Sequence, residues 1–276
     1  MAGAAIRITE SDDPRIAAFR SIRERDLVGR EGRFVAEGTV VLRMLAQAHT
    51  RGGGFRAEAI LILENRLAGL AAILADIPAD VPGYVADKTI FNGIAGFDMH
   101  RGVVAIGRRE EPPSVAGLIA SLPADSLVLA ACGISNHDNM GALFRNAAAF
   151  GVDAFLLDET CCDPLYRKAI RVSVGSVLSL PYAQGEGARE LLQSLTETGF
   201  AIWALSPRGE TAVGQIAPSA RLALVAGTEG EGLPDAILSQ FHTARVPQAP
   251  GLDSLNVATA CGIALYQMAL SKGRIG

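Results

Sequence analysis

The stretch Leu222-Ala-Leu-Val-Ala226, followed by Gly227-Thr-Glu-Gly-Glu-Gly232-Leu-Pro234, decides the fold class. An apolar run without alternation predicts a strand covered on both faces, as in a parallel sheet flanked by helices. The glycine-rich segment that ends it predicts a strand-to-helix turn. Three glycines in this turn let backbone N–H groups face a ligand. The order is GxxGxG, not GxGxxG, and no lysine follows, so neither the dinucleotide fingerprint nor the P-loop is matched. Glu229 and Glu231 would repel a di- or triphosphate and suit a cationic or neutral ligand.

Working outward, Ser126–Ala131, Ala154–Leu157, Phe200–Leu205 and Thr243–Val246 read as further strands. Met140–Phe150, Ala188–Thr198, Asp235–Phe241 and Val257–Ser271 read as helices between and after them. Ligands of such sheets sit beyond the carboxyl ends of the strands, so the loops there carry the chemistry. After Ala131 runs Gly133-Ile-Ser-Asn-His-Asp-Asn-Met-Gly-Ala-Leu-Phe-Arg145, in which Asn139 is expected to cap the helix and Arg145 to reach back from it. After Val246 runs Pro247-Gln-Ala-Pro-Gly-Leu-Asp-Ser-Leu-Asn-Val257, in which Ser254 and Asn256 stand where a helix cap would be.

Upstream, Arg108-Arg-Glu-Glu-Pro-Pro-Ser-Val115 breaks the apolar pattern and reads as part of a linker over 112–123. That divides the chain into 1–111 and 124–276. The first part alternates helix over Pro14–Arg25, strand Phe34–Ala36, helix Thr39–Ala48, strand Ala59–Leu63, helix Arg66–Leu74 and strand Val103–Gly107, a small α/β domain.

Of the 276 residues, 49% are hydrophobic and 20% charged, which excludes a disordered or fibrous chain. Net charge is -4. The first 111 residues are balanced, and the acidic excess lies in the remainder. Within Arg15–Arg33, six arginines outnumber Glu24, Asp26 and Glu31, giving one basic stretch. Cys132, Cys161, Cys162 and Cys261 include no CxxC pair, and no histidine stands near them at zinc-ligand spacing. No metal site is expected, and reduced thiols suit the cytoplasm. Met1–Pro14 has no apolar signal core. The uncharged run Ser254–Ser271 contains Asn256, Thr259 and Gln267 and reads as a loop plus buried helix, not a membrane span. No nucleophile–base pair stands out: Ser173 and Ser176 do not match GxSxG.

Together, in this order and each after a strand, three segments resemble the motifs of the SpoU (TrmH-like) RNA ribose 2'-O-methyltransferases of the SPOUT superfamily. They are Asn139-x-Gly141-x-x-x-Arg145, Leu224–Pro234, and Val246-Pro…Ser254-Leu-Asn-Val257. Asp163-Pro…Lys168-Ala-Ile-Arg-Val-Ser173-Val-Gly175 resembles the family's intermediate segment. Thr228 stands where alanine is usual, and Gln248 where methionine is common. More loosely, residues 14–107 resemble the ribosomal protein L30e-like substrate-binding domain of many members, through Phe34-Val-Ala-Glu-Gly38 and Arg101-Gly-Val-Val-Ala105.

The resemblance implies an α/β chain with a C-terminal trefoil-knot methyltransferase domain and a smaller N-terminal L30e-like domain. It implies S-adenosylmethionine as cofactor, contacted by Gly227, Val246 and Leu255, and a homodimer through the C-terminal domain. It implies that Arg145 activates the ribose, with Asn139, Glu229, Ser254 and Asn256 as the other polar site residues. The partner would be transfer or ribosomal RNA held by the N-terminal domain and the basic stretch. DNA, lacking a 2'-hydroxyl, is excluded. The alternatives are a non-catalytic RNA-binding protein retaining the fold and a Rossmann-type enzyme, which would place its glycine loop first in the chain.

Overall fold

The computed structural model describes residues 5–20, 32–52, 54–95, 101–251 and 253–276. Most of the basic Arg15–Arg33 stretch, residues 21–31, lies outside them. The chain forms two compact units, 1–112 with 165–179, and 113–164 with 180–276.

The first unit holds a five-stranded sheet. Its strands are β1 (Ile6–Arg7), β2 (Arg33–Glu37), β3 (Phe55–Leu63), β4 (Gly83–Ala86) and β5 (Val103–Arg109), in the order β1-β4-β3-β5-β2. The pairs β1–β4 and β3–β4 are parallel, while β5 runs antiparallel to both neighbours. Helix α1 (Thr39–Arg51) buries Val41, Leu42, Leu45 and Ala46, a stripe at helical spacing, and ends at left-handed Gly52. Helix α2 (Ala71–Ala75) stands between β3 and β4, and α3 (Lys88–Ala95) follows β4. Of the helix expected over Pro14–Arg25, the described part is a 3-10 helix over Pro14–Phe19, which Asp13 caps and extended Arg20 ends; residues 21–25 lie outside the described residues. That over Arg66–Leu74 splits into 3-10 turns and the short α2. Strands β1 and β4 are too short for an alternation to register.

Residues 165–179 belong to this unit, not to a continuous 124–276. Helix α6 (Arg167–Val172) packs against β2, and a Cβ at left-handed Gly175 would stand 3.0 Å from Met44. Glu37, 8% exposed, accepts hydrogen bonds from Arg167 Nη2 and Nε at 2.8 and 3.1 Å.

The second unit is a seven-stranded sheet, parallel throughout its described pairs. Its strands are β6 (Ser126–Ala131), β7 (Ala154–Leu157), β8 (Tyr182–Gln184), β9 (Ala201–Leu205), β10 (Thr211–Ala212), β11 (Arg221–Ala226) and β12 (His242–Arg245). The order is β10-β12-β9-β11-β6-β7-β8. Strand β6 is buried at every position, as the apolar run Leu127–Ala131 requires.

On one face, Val128, Ala130, Ala154 and Leu156 pack with α4 (Val115–Ser121) and α7 (Ala188–Glu197). Helix α4 corrects the linker expectation: most of 112–123 is a helix capped by Ser114 that buries Val115, Leu118 and Ile119 in this core. The prolines disguised it by standing just ahead of its cap. The alternating residues face the other way. There Phe155 and Tyr182 meet Phe144 of α5 (His137–Ala149), with ring centroids 4.7 and 5.2 Å apart. Helix α9 (Val257–Ser271) packs against α5 and β11; the short α8 (Asp235–Leu238) precedes β12.

The end of α9 is tied down. Lys272, whose side chain is 2% exposed, donates to the carbonyls of Ser219 and Ala220 and pairs with Asp125 at 2.7 Å. Arg274 pairs with Asp153 at 2.8 Å and Asp125 at 3.2 Å. Among the described residues no helix is long and apolar enough to cross a membrane.

Candidate functional site

The loops after β6, β11 and β12 leave the sheet at its carboxyl edge, where parallel sheets bind ligands. The loop after β11 is set by glycine. A Cβ at Gly227 would stand 2.4–2.6 Å from backbone atoms of Gly232 and Leu233, so no other residue fits. Thr228 and Gly232 form a short antiparallel bridge, with the Gly232 amide donating to the Thr228 carbonyl at 3.1 Å. Between them, the amides of Glu229, Gly230 and Glu231 donate to no described residue, nor do those of Val246 and Leu255.

Asn139 does not cap its helix. Asn136 does, accepting from the amides of Asp138 and Asn139 at 2.8 and 3.3 Å. Helix α5 therefore starts at His137, earlier than the apolar pattern suggests. Asn139 lies in its first turn, 8% exposed, and its side chain is engaged elsewhere. Its Nδ2 donates to Glu229 Oε1, and its Oδ1 accepts from Asn256 Nδ2 at 2.9 Å. Asn256 caps α9 as expected, its Oδ1 accepting from the amides of Ala258 and Thr259.

Glu229, Asn139 and Asn256 thus form one hydrogen-bonded row across the three loops. The other expected residues stand apart. Ser254 is exposed and caps nothing, Val246 and Leu255 are half-buried, and Gly227 is buried. Arg145 is exposed, on a different face of α5 from Asn139 and about 9 Å along its axis. It forms no hydrogen bond or ion pair with a described residue.

Sequence reasoning missed Asn136 and Asp158. Asp158 is 4% exposed beyond the end of β7 and gathers hydrogen bonds from Gly133, Thr160 and Cys161. A carboxylate directly after an apolar strand, two residues before a threonine, was the available signal.

The cysteines offer no nucleophile. Burial, with Asp158 nearby, pushes the Cys132 thiol up to about 12 and raises Cys161 further. Burial pushes Cys162 up to about 11 and Cys261 to about 12. All stay protonated at neutral pH, and a thiol reacts as its thiolate. Among the described residues no three His, Cys, Asp or Glu side chains gather as metal ligands would.

The chain is 38% identical over 280 residues to an uncharacterized tRNA/rRNA methyltransferase of Mycobacterium tuberculosis, covering 98% of this chain and 93% of that one. It is 32% identical over 177 residues to the 23S rRNA (guanosine-2'-O-)-methyltransferase RlmB of Escherichia coli, covering 61% and 71%. In fold it matches the AdoMet-bound rRNA methyltransferase from Sinorhizobium meliloti, with a TM-score of 0.80 at 22% identity over 99% of this chain and 100% of that one. Residues 126–266, more than half the chain, match the family described as SpoU rRNA Methylase, and to that family the protein belongs.

Proposed function

We propose that the protein transfers the methyl group of S-adenosylmethionine to a ribose 2'-hydroxyl of structured RNA, either transfer or ribosomal RNA. The observation that carries this reading is the Glu229–Asn139–Asn256 row, which binds three strand-end loops into one wall. The loop amides left over beside that wall suit a ligand held largely by backbone. The RNA methyltransferase names of the relatives support the reaction class, and RlmB's name supports the ribose oxygen.

The residues fit the cofactor. Gly227, Val246 and Leu255 would hold it through backbone and small apolar contacts, and Glu229 does not oppose its positive charge. When bound, it supplies a methyl group on an already activated sulfonium. The protein's work is then alignment of donor and acceptor. Asn139, fixed at both ends of its amide, holds Glu229 and Asn256 in place. Ser254, exposed at the rim, would meet the substrate. The Arg145 guanidinium would hold the ribose or a neighbouring phosphate and stabilise charge developing on the 2'-oxygen, the proton passing to substrate phosphate or water.

Residues 1–111 would hold the RNA with the basic stretch, and 124–276 would carry the reaction. We extend the reading to an L30e-like first unit, a trefoil knot in the last strands and helix, a cytoplasmic location, and a homodimer. The dimer draws support from α9, whose Ile263, Tyr266 and Leu270 are 38%, 43% and 39% exposed beside a groove of about 600 Å³ lined by Phe150 and Ala142.

The test is transfer of labelled methyl from S-adenosylmethionine to transfer RNA, to unmodified ribosomal RNA and to DNA of matching sequence. Label in one RNA pool and none in DNA is expected. Neither label nor cofactor binding would overturn the reading in favour of a non-catalytic RNA-binding protein.

A further inference from the structure

Asp158 sits directly beyond β7, buried, and uses a single oxygen for four hydrogen bonds. Its Oδ1 accepts from the Gly133 amide at 3.1 Å, the Thr160 amide at 3.1 Å, the Thr160 hydroxyl at 2.9 Å and the Cys161 amide at 3.0 Å. Three of these donors lie in its own turn. The fourth belongs to the loop after β6. Two further bonds lace the same two segments together: the Ile134 amide donates to Cys161 Sγ at 3.4 Å, and the Cys162 amide to the Ile134 carbonyl at 2.8 Å.

Gly133 is in the left-handed region, φ 73°, and a Cβ there would stand 2.5 Å from Thr228 Cγ2. The threonine methyl thus occupies the room the glycine leaves. The Thr228 hydroxyl donates to the Gly232 carbonyl at 3.1 Å, closing the loop that contains Glu229. Contacts therefore run without a gap from Asp158 through Gly133 and Thr228 to the loop whose Glu229 meets Asn139.

We propose that Asp158 is a positioning residue for the cofactor loop: it fixes Gly133, Thr228 seats on Gly133, and the seated Thr228 holds 228–232 closed. The inference rests on the cofactor reading above, but the loop's closure is measurable without cofactor. Asp158→Asn keeps the Oδ1 acceptor, and the other carboxylate oxygen has no described partner to lose. Asp158→Ala removes the acceptor. Thr228→Val keeps the methyl and removes the hydroxyl.

Amide exchange is measured on the free protein at Gly232, whose amide donates to the Thr228 carbonyl across the closed loop, with the amides of α7 as the internal reference. Exchange of the Gly232 amide is expected to quicken about tenfold in Asp158→Ala with α7 unchanged, and to stay within about threefold in Asp158→Asn. The Kd for S-adenosylmethionine by calorimetry should rise about tenfold in Asp158→Ala and less in Thr228→Val. A merely structural aspartate would quicken α7 and the loop together.

Folded Asp158→Ala with wild-type loop exchange overturns the proposal, as does equal quickening in α7. If Asp158→Ala does not fold, Thr228→Val decides, and wild-type loop exchange in that variant overturns it. If the wild type binds no S-adenosylmethionine, the functional reading falls, and the exchange data alone still judge Asp158.

Discussion

Asn256 Nδ2 lies 2.9 Å from Asn139 Oδ1, joining the starts of two helices 117 residues apart in the chain. Each asparagine is committed at both ends. Asn256 caps its own helix with its oxygen while its nitrogen serves Asn139. Asn139 passes the contact on to Glu229.

Asn139→Ala should therefore cost more than one contact, because it strands polar groups on both neighbours. We expect a loss of about 1–3 kcal/mol in chemical denaturation, together with weaker cofactor binding. Asn139→Asp should fare worse, since it sets a carboxylate against Glu229 and cannot donate. Equal stability of the two variants would contradict the donor assignment.

Arg145→Ala should leave the fold intact. The side chain is exposed and bonds to no described residue, so stability should stay within about 0.5 kcal/mol of wild type. Turnover should fall about 100-fold while the Kd for S-adenosylmethionine stays within about twofold. Methyl-transfer rates beside calorimetry separate the two. Full activity would remove Arg145 from the reaction.

Gly227→Ala forces a methyl into the backbone of Gly232 and Leu233. The expected cost is about 1–3 kcal/mol of stability with loss of cofactor binding, read by thermal melts and calorimetry. Gly230→Ala, where a Cβ meets open space, isolates the backbone effect of its φ of 91° from crowding.

Asp125 is held below the usual carboxylate range, first by hydrogen bonds from Lys272 and Arg274 and then by their charge. A depressed carboxylate contributes stability above its unfolded pKa of about 3.9 and loses it as pH falls through the lower folded value. Asp125→Asn should accordingly melt below wild type at pH 7, and the gap should close as pH drops below the ordinary carboxylate range. A gap that widens in acid would invert the assignment. High salt should narrow it, because Asp125 is largely exposed.

The second unit's central strands were legible because Leu127–Ala131 and Leu222–Ala226 are apolar at every position, which few environments other than a doubly covered sheet tolerate. Strands β4 and β8 escaped for the opposite reason: Gly-Tyr-Val-Ala and Tyr-Ala-Gln are too short to carry a period. Two asparagines three residues apart can each begin a helix, and sequence offered no reason to prefer Asn136 to Asn139. Only the third dimension, which brings Glu229 and Asn256 to Asn139, separates a cap from a site residue. The excursion of 165–179 was illegible because its packing partners, Glu37 and Met44, lie far upstream.

That excursion bears on the order in which the chain matures. Glu37 emerges from a ribosome long before Arg167, and until the later residue arrives the carboxylate has no mate at its buried position. The first unit cannot finish while synthesis is confined to its own opening 112 residues; its last pieces are delivered from within the second. Folding of the first unit from its opening segment alone is thereby closed to this architecture: its parts are all present only once residue 179 has been made, by which time 113–164 of the second unit has emerged and 180–276 is still to come.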